Sequence, residues 1–272
     1  LEQSLEGSAA KSMKPVDILK KIAFRHTSWF KPQYPYNTEP IQLATLVNQM
    51  ERLRDMPGAI VEIGVARGLT TRFLCEHIVK SGIRDTPYYA LDTFQSFLEE
   101  DIDFEVQHRN KKRSELQGNF GYNDFSIWQK NFCEFPFVNA IQADCSTFDY
   151  ASITPIKLVF LDVDLYIPVQ KALPRIFEAL TPGGVILVDD VQNSTLYDGA
   201  YQAYMEYCAQ NNIFPSVVGN KCGIIQKSAS TDQSLTVGSL NSRAPNQAEF
   251  TSLPAHAMQG KFNTTQAGIR YS

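Results

Sequence analysis

Between Gly58 and Lys227, short apolar runs alternate with longer stretches of helical spacing. The runs are Ala59–Val65, Tyr88–Leu91, Val138–Ala143, Lys157–Leu161, Val185–Val188, Ser216–Val218 and Cys222–Gln226. The first five are unbroken rather than alternating, as expected of strands covered by helices on both faces. Strand–helix alternation of this kind predicts an α/β protein with a right-handed, doubly wound, mostly parallel seven-stranded sheet. Only Gly219-Asn220-Lys221 separates the last two runs. No crossover helix fits there, so the last strand is expected to lie antiparallel to its predecessor.

The flanks differ from this core. Residues 1–57 hold two helical patterns, Lys14 to Phe24 and Glu39 to Arg54, the second with Ile41, Leu43, Leu46, Val47 and Met50 as its apolar members. The segment reads as a helical cover for the substrate, joined to a main domain over 58–227. From Ser228 to Ser272 the chain is rich in Ser, Thr, Gln, Asn and Ala, a composition that reads as a tail without a core of its own. Inside the main domain, residues 93–137 form a long connection carrying Phe94, Phe97, Phe104, Tyr122, Phe125 and Trp128. Connections of this length are often lids or binding loops. With Tyr34 and Tyr36, it is expected to close over a ligand and exclude water.

The turn after the first run is Val61-Glu62-Ile63-Gly64-Val65-Ala66-Arg67-Gly68, followed by a helical stretch from Leu69 to Lys80. Gly64 lets the backbone turn and a ligand approach, Gly68 clears the same space, and Thr70 or Thr71 is placed to cap the helix. This is the strand–turn–helix setting of nucleotide binding. A dinucleotide site wants GxGxxG, so that a pyrophosphate can rest on the helix N-terminus. Here the pattern is ExGxxxG, and the Glu62 carboxylate would repel a phosphate while favouring a cationic ligand. S-adenosylmethionine carries an ammonium and a sulfonium and no phosphate. Asp92, at the end of the second run, is placed to accept the ribose hydroxyls. Asp144, at the end of the third, is placed to reach the adenine amino group with Ser146 nearby.

The fourth and fifth runs continue into Asp162-Val163-Asp164-Leu165-Tyr166 and Asp189-Asp190. If those strands are neighbours, up to four carboxylates converge, which is unfavourable unless a cation neutralises them. Oxygen ligands of this hardness suit Mg²⁺ or Ca²⁺. Asp162, Asp189 and Asp190 are the expected ligands, holding a cation that lowers the pKa of an attacking hydroxyl. The plainer alternative makes Asp164 and Asp190 helix caps. Two residues compete as general base, Asp162 and His108, the one histidine of the long connection.

Composition narrows the partners. The 272 residues carry 25 Lys and Arg against 29 Asp and Glu, a net charge of −4. No basic stripe of the kind nucleic acid requires is present in the sequence. Five cysteines, odd in number and without a CxxC pair, argue against zinc and disulfide frameworks. No run is long enough to span a membrane, and no basic-then-apolar leader opens the chain, so a cytoplasmic location is the expectation.

Two blocks carry a family resemblance: Leu161-Asp162-Val163-Asp164-Leu165-Tyr166, and Leu180-Thr181-Pro182-Gly183-Gly184 continuing to Val188-Asp189-Asp190. With the Val61–Gly68 turn and Leu91-Asp92-Thr93-Phe94-Gln95-Ser96-Phe97, the chain resembles the macrocin O-methyltransferase family over roughly residues 58 to 200. The resemblance implies a class I, Rossmann-like methyltransferase fold. It also implies a divalent cation (magnesium) on Asp162, Asp189 and Asp190, and a sugar hydroxyl of a natural product as acceptor. Ile167-Pro168-Val169 departs from the family pattern, which usually has a polar stretch there. The competing expectations are a metal-independent methyltransferase acting at nitrogen or a phenol, and a silent binding module of the same fold. A homo-oligomer formed through the N-terminal helices is a further expectation.

Overall fold

The structure, a computed structural model, describes residues 14–28, 32–83 and 85–229. The polar tail expected over 228–272 falls almost entirely outside the described residues. Seven strands form one sheet: β1 (Ala59–Ile63), β2 (Tyr88–Asp92), β3 (Val138–Gln142), β4 (Ile156–Leu161), β5 (Leu180–Val188), β6 (Ser216–Val218) and β7 (Cys222–Gln226), in the order β3-β2-β1-β4-β5-β7-β6. The first five are parallel, and β7 runs antiparallel to both β5 and β6. The α/β class I methyltransferase fold is therefore as expected.

The unbroken apolar runs are explained by two cores, one on each face. Along β4, Ile156, Val159 and Leu161 enter the core beneath α7 (Tyr166–Ala179) and α8 (Asp198–Gln210), while Leu158 and Phe160 enter the other. That second core is closed by α3 (Leu69–Ser81) and by α2 (Pro40–Arg52), whose Leu43, Leu46 and Met50 are buried against it. Side chains alternate across a strand, so a strand covered on both faces is apolar at most positions, and Glu62 of β1 and Lys157 of β4 are the buried exceptions. The third run departs from this expectation. β3 is a sheet edge, and none of its residues is fully buried.

The first predicted helix, α1 (Pro15–His26), is amphipathic but buries no residue, leaving Val16, Ile18, Leu19 and Ile22 exposed. Strand β5 begins five residues earlier than its apolar run. Among the described residues no helix is long and apolar enough to cross a membrane.

At the carboxyl edge the ladder runs past the strands themselves. The Asp162 N–H donates to the Ile63 carbonyl (2.8 Å) and the Asp189 N–H to the Leu161 carbonyl (2.8 Å). The glycines of the first turn serve this crowding. Gly64 has φ +82°, and a Cβ on it would overlap the Asp162 carbonyl oxygen. Gly68 is also left-handed, and its Cβ would collide with the Phe132 ring. Both glycines thus make room for neighbouring protein, where the sequence suggested room for a ligand. Gly64→Ala combines a left-handed penalty of about 1–2 kcal/mol with forced movement of β4. It is expected to destabilise the fold by about 3 kcal/mol or more, read as a lowered urea midpoint.

Candidate active site

One cavity runs along the carboxyl edge, from the first turn (Glu62, Gly64, Thr70) past Asp92 and Asp144 to Asp162, Asp164, Asp189, Asp190 and Lys221. It brings most of the sequence-derived residues together. Ser146 and Gly68 stand behind the lining; Ser146 is buried, and its N–H donates to Asp144 Oδ1 (2.8 Å).

Asp92 is committed to backbone. Its Oδ2 accepts from the N–H groups of Val65 (2.8 Å) and Ala66 (3.1 Å), and its Oδ1 from Phe94 (2.6 Å). The carboxylate thereby staples the first turn to the end of β2. Asn123 adds a second clasp, donating to the Ala66 carbonyl (2.9 Å). Glu62 is 1% exposed, with its side chain accepting from the Tyr88 hydroxyl. Burial pushes its carboxyl up to about 7 against the pull of that hydrogen bond. No side chain caps α3: Gly68 is its N-cap, and the Thr70 hydroxyl instead pairs with that of Thr38 (3.0 Å). Asp101, which the sequence reading passed over, also lines the cavity at 5% exposure. Burial first, then Asp144, raises its carboxyl to about 6.

The acidic cluster sits where β4 and β5 end side by side. Oxygens of Asp162, Asp164 and Asp190 lie within 4.8 Å of one another. Burial, then Asp189, holds Asp162 well above the usual carboxylate range; burial and Asp190 do the same to Asp164. Asp164 and Asp190 are not helix caps. The N-cap of α7 is Leu165, and Asp164 and Asp190 take left-handed backbone (φ 61° and 55°). Asp189 belongs to a different set of partners. Its Oδ1 accepts from Gln42 Nε2 (2.6 Å) and the Asp190 N–H (2.7 Å), and its Oδ2 from Lys221 Nζ (3.0 Å). The trio gathered by geometry therefore holds Asp164 where the sequence reading placed Asp189. Three carboxylates at this spacing are a hard, all-oxygen donor set that fits a divalent cation.

The long connection folds as α4 (Glu99–His108), α5 (Arg113–Leu116) and α6 (Phe125–Asn131). Phe94 and Trp128 are buried in the sheet core, and Phe104 stacks on Tyr166 (5.2 Å). Glu105, 1% exposed, accepts the Tyr166 N–H at the start of α7 (2.8 Å) and pairs with Arg109 (2.9 Å), which also reaches Asp198 (2.6 Å). A carboxylate at a helix N-terminus meets its unpaired N–H groups and favourable dipole. The connection is thus a packed wall, with Phe97, Phe120 and Tyr122 on the cavity side. His108 lies on exposed surface against Phe104 (4.7 Å) and is not part of the cavity lining. Nor are Tyr34 and Tyr36; the lining there is Asn37 and Thr38.

The comparisons agree with this fold. Among solved structures, the O-methyltransferase NovP is similar at a TM-score of 0.58 and 19% identity, over 69% of this chain and 79% of that one. CalS11, a calicheamicin methyltransferase, is similar at a TM-score of 0.55 and 15% identity, over 83% of this chain and 99% of that one. At such identities they show the fold. No curated protein sequence matches the chain. The family model for macrocin O-methyltransferases (TylF) matches residues 40–219, from α2 through the sheet to the turn after β6. The chain belongs to this macrocin O-methyltransferase family and is an S-adenosylmethionine-dependent O-methyltransferase.

Proposed function

We propose that this enzyme methylates a hydroxyl of a sugar or glycosylated natural product, with Mg²⁺ held by Asp162, Asp164 and Asp190. The observation that carries this reading is the continuity of the cavity: the cofactor turn and the acidic trio line the same space. The description of NovP as an O-methyltransferase supports transfer to oxygen, and that of CalS11 as a calicheamicin methyltransferase supports an acceptor of that natural-product kind.

S-adenosylmethionine supplies a methyl group already activated on a sulfonium. Its binding falls to the first turn and to Glu62, Asp92 and Asp144, with Asp101 beside them. A bound Mg²⁺ supplies a Lewis acid that holds substrate oxygens and lowers the pKa of the reacting hydroxyl. Asp162 is the proposed proton acceptor, because its carboxylate lines the cavity at the end of β4, where the reacting hydroxyl would be held. Phe97, Phe120 and Tyr122 contribute the apolar wall that keeps water from the transfer. Tyr197 stands in the lining near the acids, and burial, then Asp164, raises its hydroxyl to about 12.

One observation favours a second reading. Lys221 places an ammonium among the carboxylates, and as their sole cation it would make the enzyme metal-independent. Transfer of a labelled methyl to a panel of glycosides separates the two. Under the metal reading, EDTA abolishes transfer, Mg²⁺ restores it, and Asp190→Asn lowers kcat/KM about 10²-fold or more. Transfer that survives both treatments establishes the metal-independent route. For the cofactor half, Asp92→Ala leaves the Val65 and Ala66 N–H groups unpartnered. S-adenosylhomocysteine affinity is expected to fall about tenfold by calorimetry; an unchanged affinity removes Asp92 from the cofactor site.

A further inference from the structure

A carboxylate removed from water is unfavourable unless donors meet it. Asp101, in the first turn of α4, is 5% exposed and lines the cavity. Among the described residues no hydrogen bond or ion pair reaches its side chain. The Ser96 hydroxyl, in the lining just ahead of α4, is likewise buried without a partner. An acid in a first turn also suits the helix dipole, but Glu99 and Glu100 already fill that role and face water. Packing holds α4 in place. Glu105, one turn on from Asp101, accepts the Tyr166 N–H (2.8 Å), and Ile102 is buried with Leu116 and Leu165.

The neighbours of Asp101 show which end of the cavity it belongs to. Burial first, then Asp144, raises its carboxyl; Glu100 and Glu105 of α4 act in the same direction, and Lys171 of α7 opposes them. Cys145, in the lining just after β3, has its thiol pushed up to about 12 by burial, then by Asp144, Asp101 and Asp92. The other two acids have donors within the protein. Asp92 accepts from three backbone N–H groups. Asp144 takes the Ser146 N–H (2.8 Å) on one oxygen and the Thr147 hydroxyl (3.3 Å) on the other. Asp101 is the acid of this group whose hydrogen-bonding capacity is unmet.

S-adenosylmethionine donates hydrogen bonds from its ammonium, its ribose hydroxyls and its adenine amino group. With the methyl directed toward the ends of β4 and β5, the nucleoside extends past β1 and β2 toward β3, and the base arrives at Asp144 and Asp101. We propose that Asp101 binds the adenine amino group, so that α4 selects the base together with Asp144 at the end of β3. The inference rests on the placement of the cofactor along Asp92 and Asp144, and not on the metal or the acceptor. A carbonyl oxygen at that position of the base would face two carboxylates, neither of which offers a proton at pH 8.

Calorimetric titration of the full chain at pH 8 tests this with two ligands. One is S-adenosylhomocysteine; the other is S-inosylhomocysteine, which carries a carbonyl oxygen in place of the amino group. The wild type is expected to prefer the adenosyl ligand by about 10²-fold or more. In Asp101→Ala the adenosyl ligand should bind about tenfold more weakly and the preference should fall by at least that factor. Asp101→Asn keeps the shape of the side chain should the Ala variant fail to fold, and its amide can donate to the carbonyl, so the preference falls there too. Asp92→Ala, remote from the base, is expected to weaken both ligands alike. An unchanged preference in a cooperatively melting Asp101 variant overturns the inference, since a role confined to the helix would move both ligands equally. If Asp92→Ala alters neither affinity, the placement of the cofactor fails first, and this inference with it.

Discussion

Strands β4 and β5 pair in parallel with Leu161 opposite Val188, so the residues that follow them, Asp162 and Asp189, must emerge side by side. Two residues on, and one residue on, Asp164 and Asp190 join them. Close to the sheet there is little water to solvate four carboxylates, and their mutual repulsion falls on whatever surrounds them. Much of the carboxyl edge answers this constraint. Gln42 donates from α2, Lys221 reaches in from the β6–β7 turn, and burial still raises the proton affinity of Asp162, Asp164 and Asp189. A site that gathers negative charge at this density is suited to holding a cation, which is why the proposed chemistry is placed here and not at the first turn alone.

The same edge is where the backbone is strained. Ala66, Phe94, Asp164 and Asp190 are non-glycine residues with positive φ, and they follow β1, β2, β4 and β5 respectively. Such conformations persist where the surroundings over-determine them. Here the determinants are identifiable: the Asp92 carboxylate fixes Ala66 and Phe94, and the Asp189 carboxylate fixes the Asp190 N–H. Gly64 packs against the Asp162 carbonyl, so the cofactor turn and the acidic cluster are in direct backbone contact. Displacing one displaces the other.

The sheet was legible in the sequence because burial on both faces writes a nearly continuous apolar run, which β1, β2 and β4 show with Glu62 and Lys157 as buried exceptions. Strand β3 is equally apolar in part but lies at an edge, and a run of residues does not record how many neighbours a strand has. The start of β5 was hidden in Leu180-Thr181-Pro182-Gly183-Gly184, which reads as a turn yet pairs with β4 through an irregular register. The acids could be named from their place at strand ends. Which of them face each other depends on the left-handed turns at Asp164 and Asp190, which Asp permits more readily than most residues but does not require. Lys221 carries no sequence signal either, since nothing distinguishes a turn lysine that folds inward from one in solvent. The long connection was identifiable by its aromatics, but its role as a fixed wall rests on Glu105 binding the first turn of α7, a contact between residues sixty-one apart.

The ends of β4 and β5 are the proposed reaction centre. Anomalous diffraction from crystals grown with Mn²⁺ and S-adenosylhomocysteine tests it most directly. The expected result is a manganese peak among the carboxylates of Asp162, Asp164, Asp189 and Asp190, with the nucleoside beside Asp92. A peak away from these four residues, or bound nucleoside with no peak at the cluster, would contradict it.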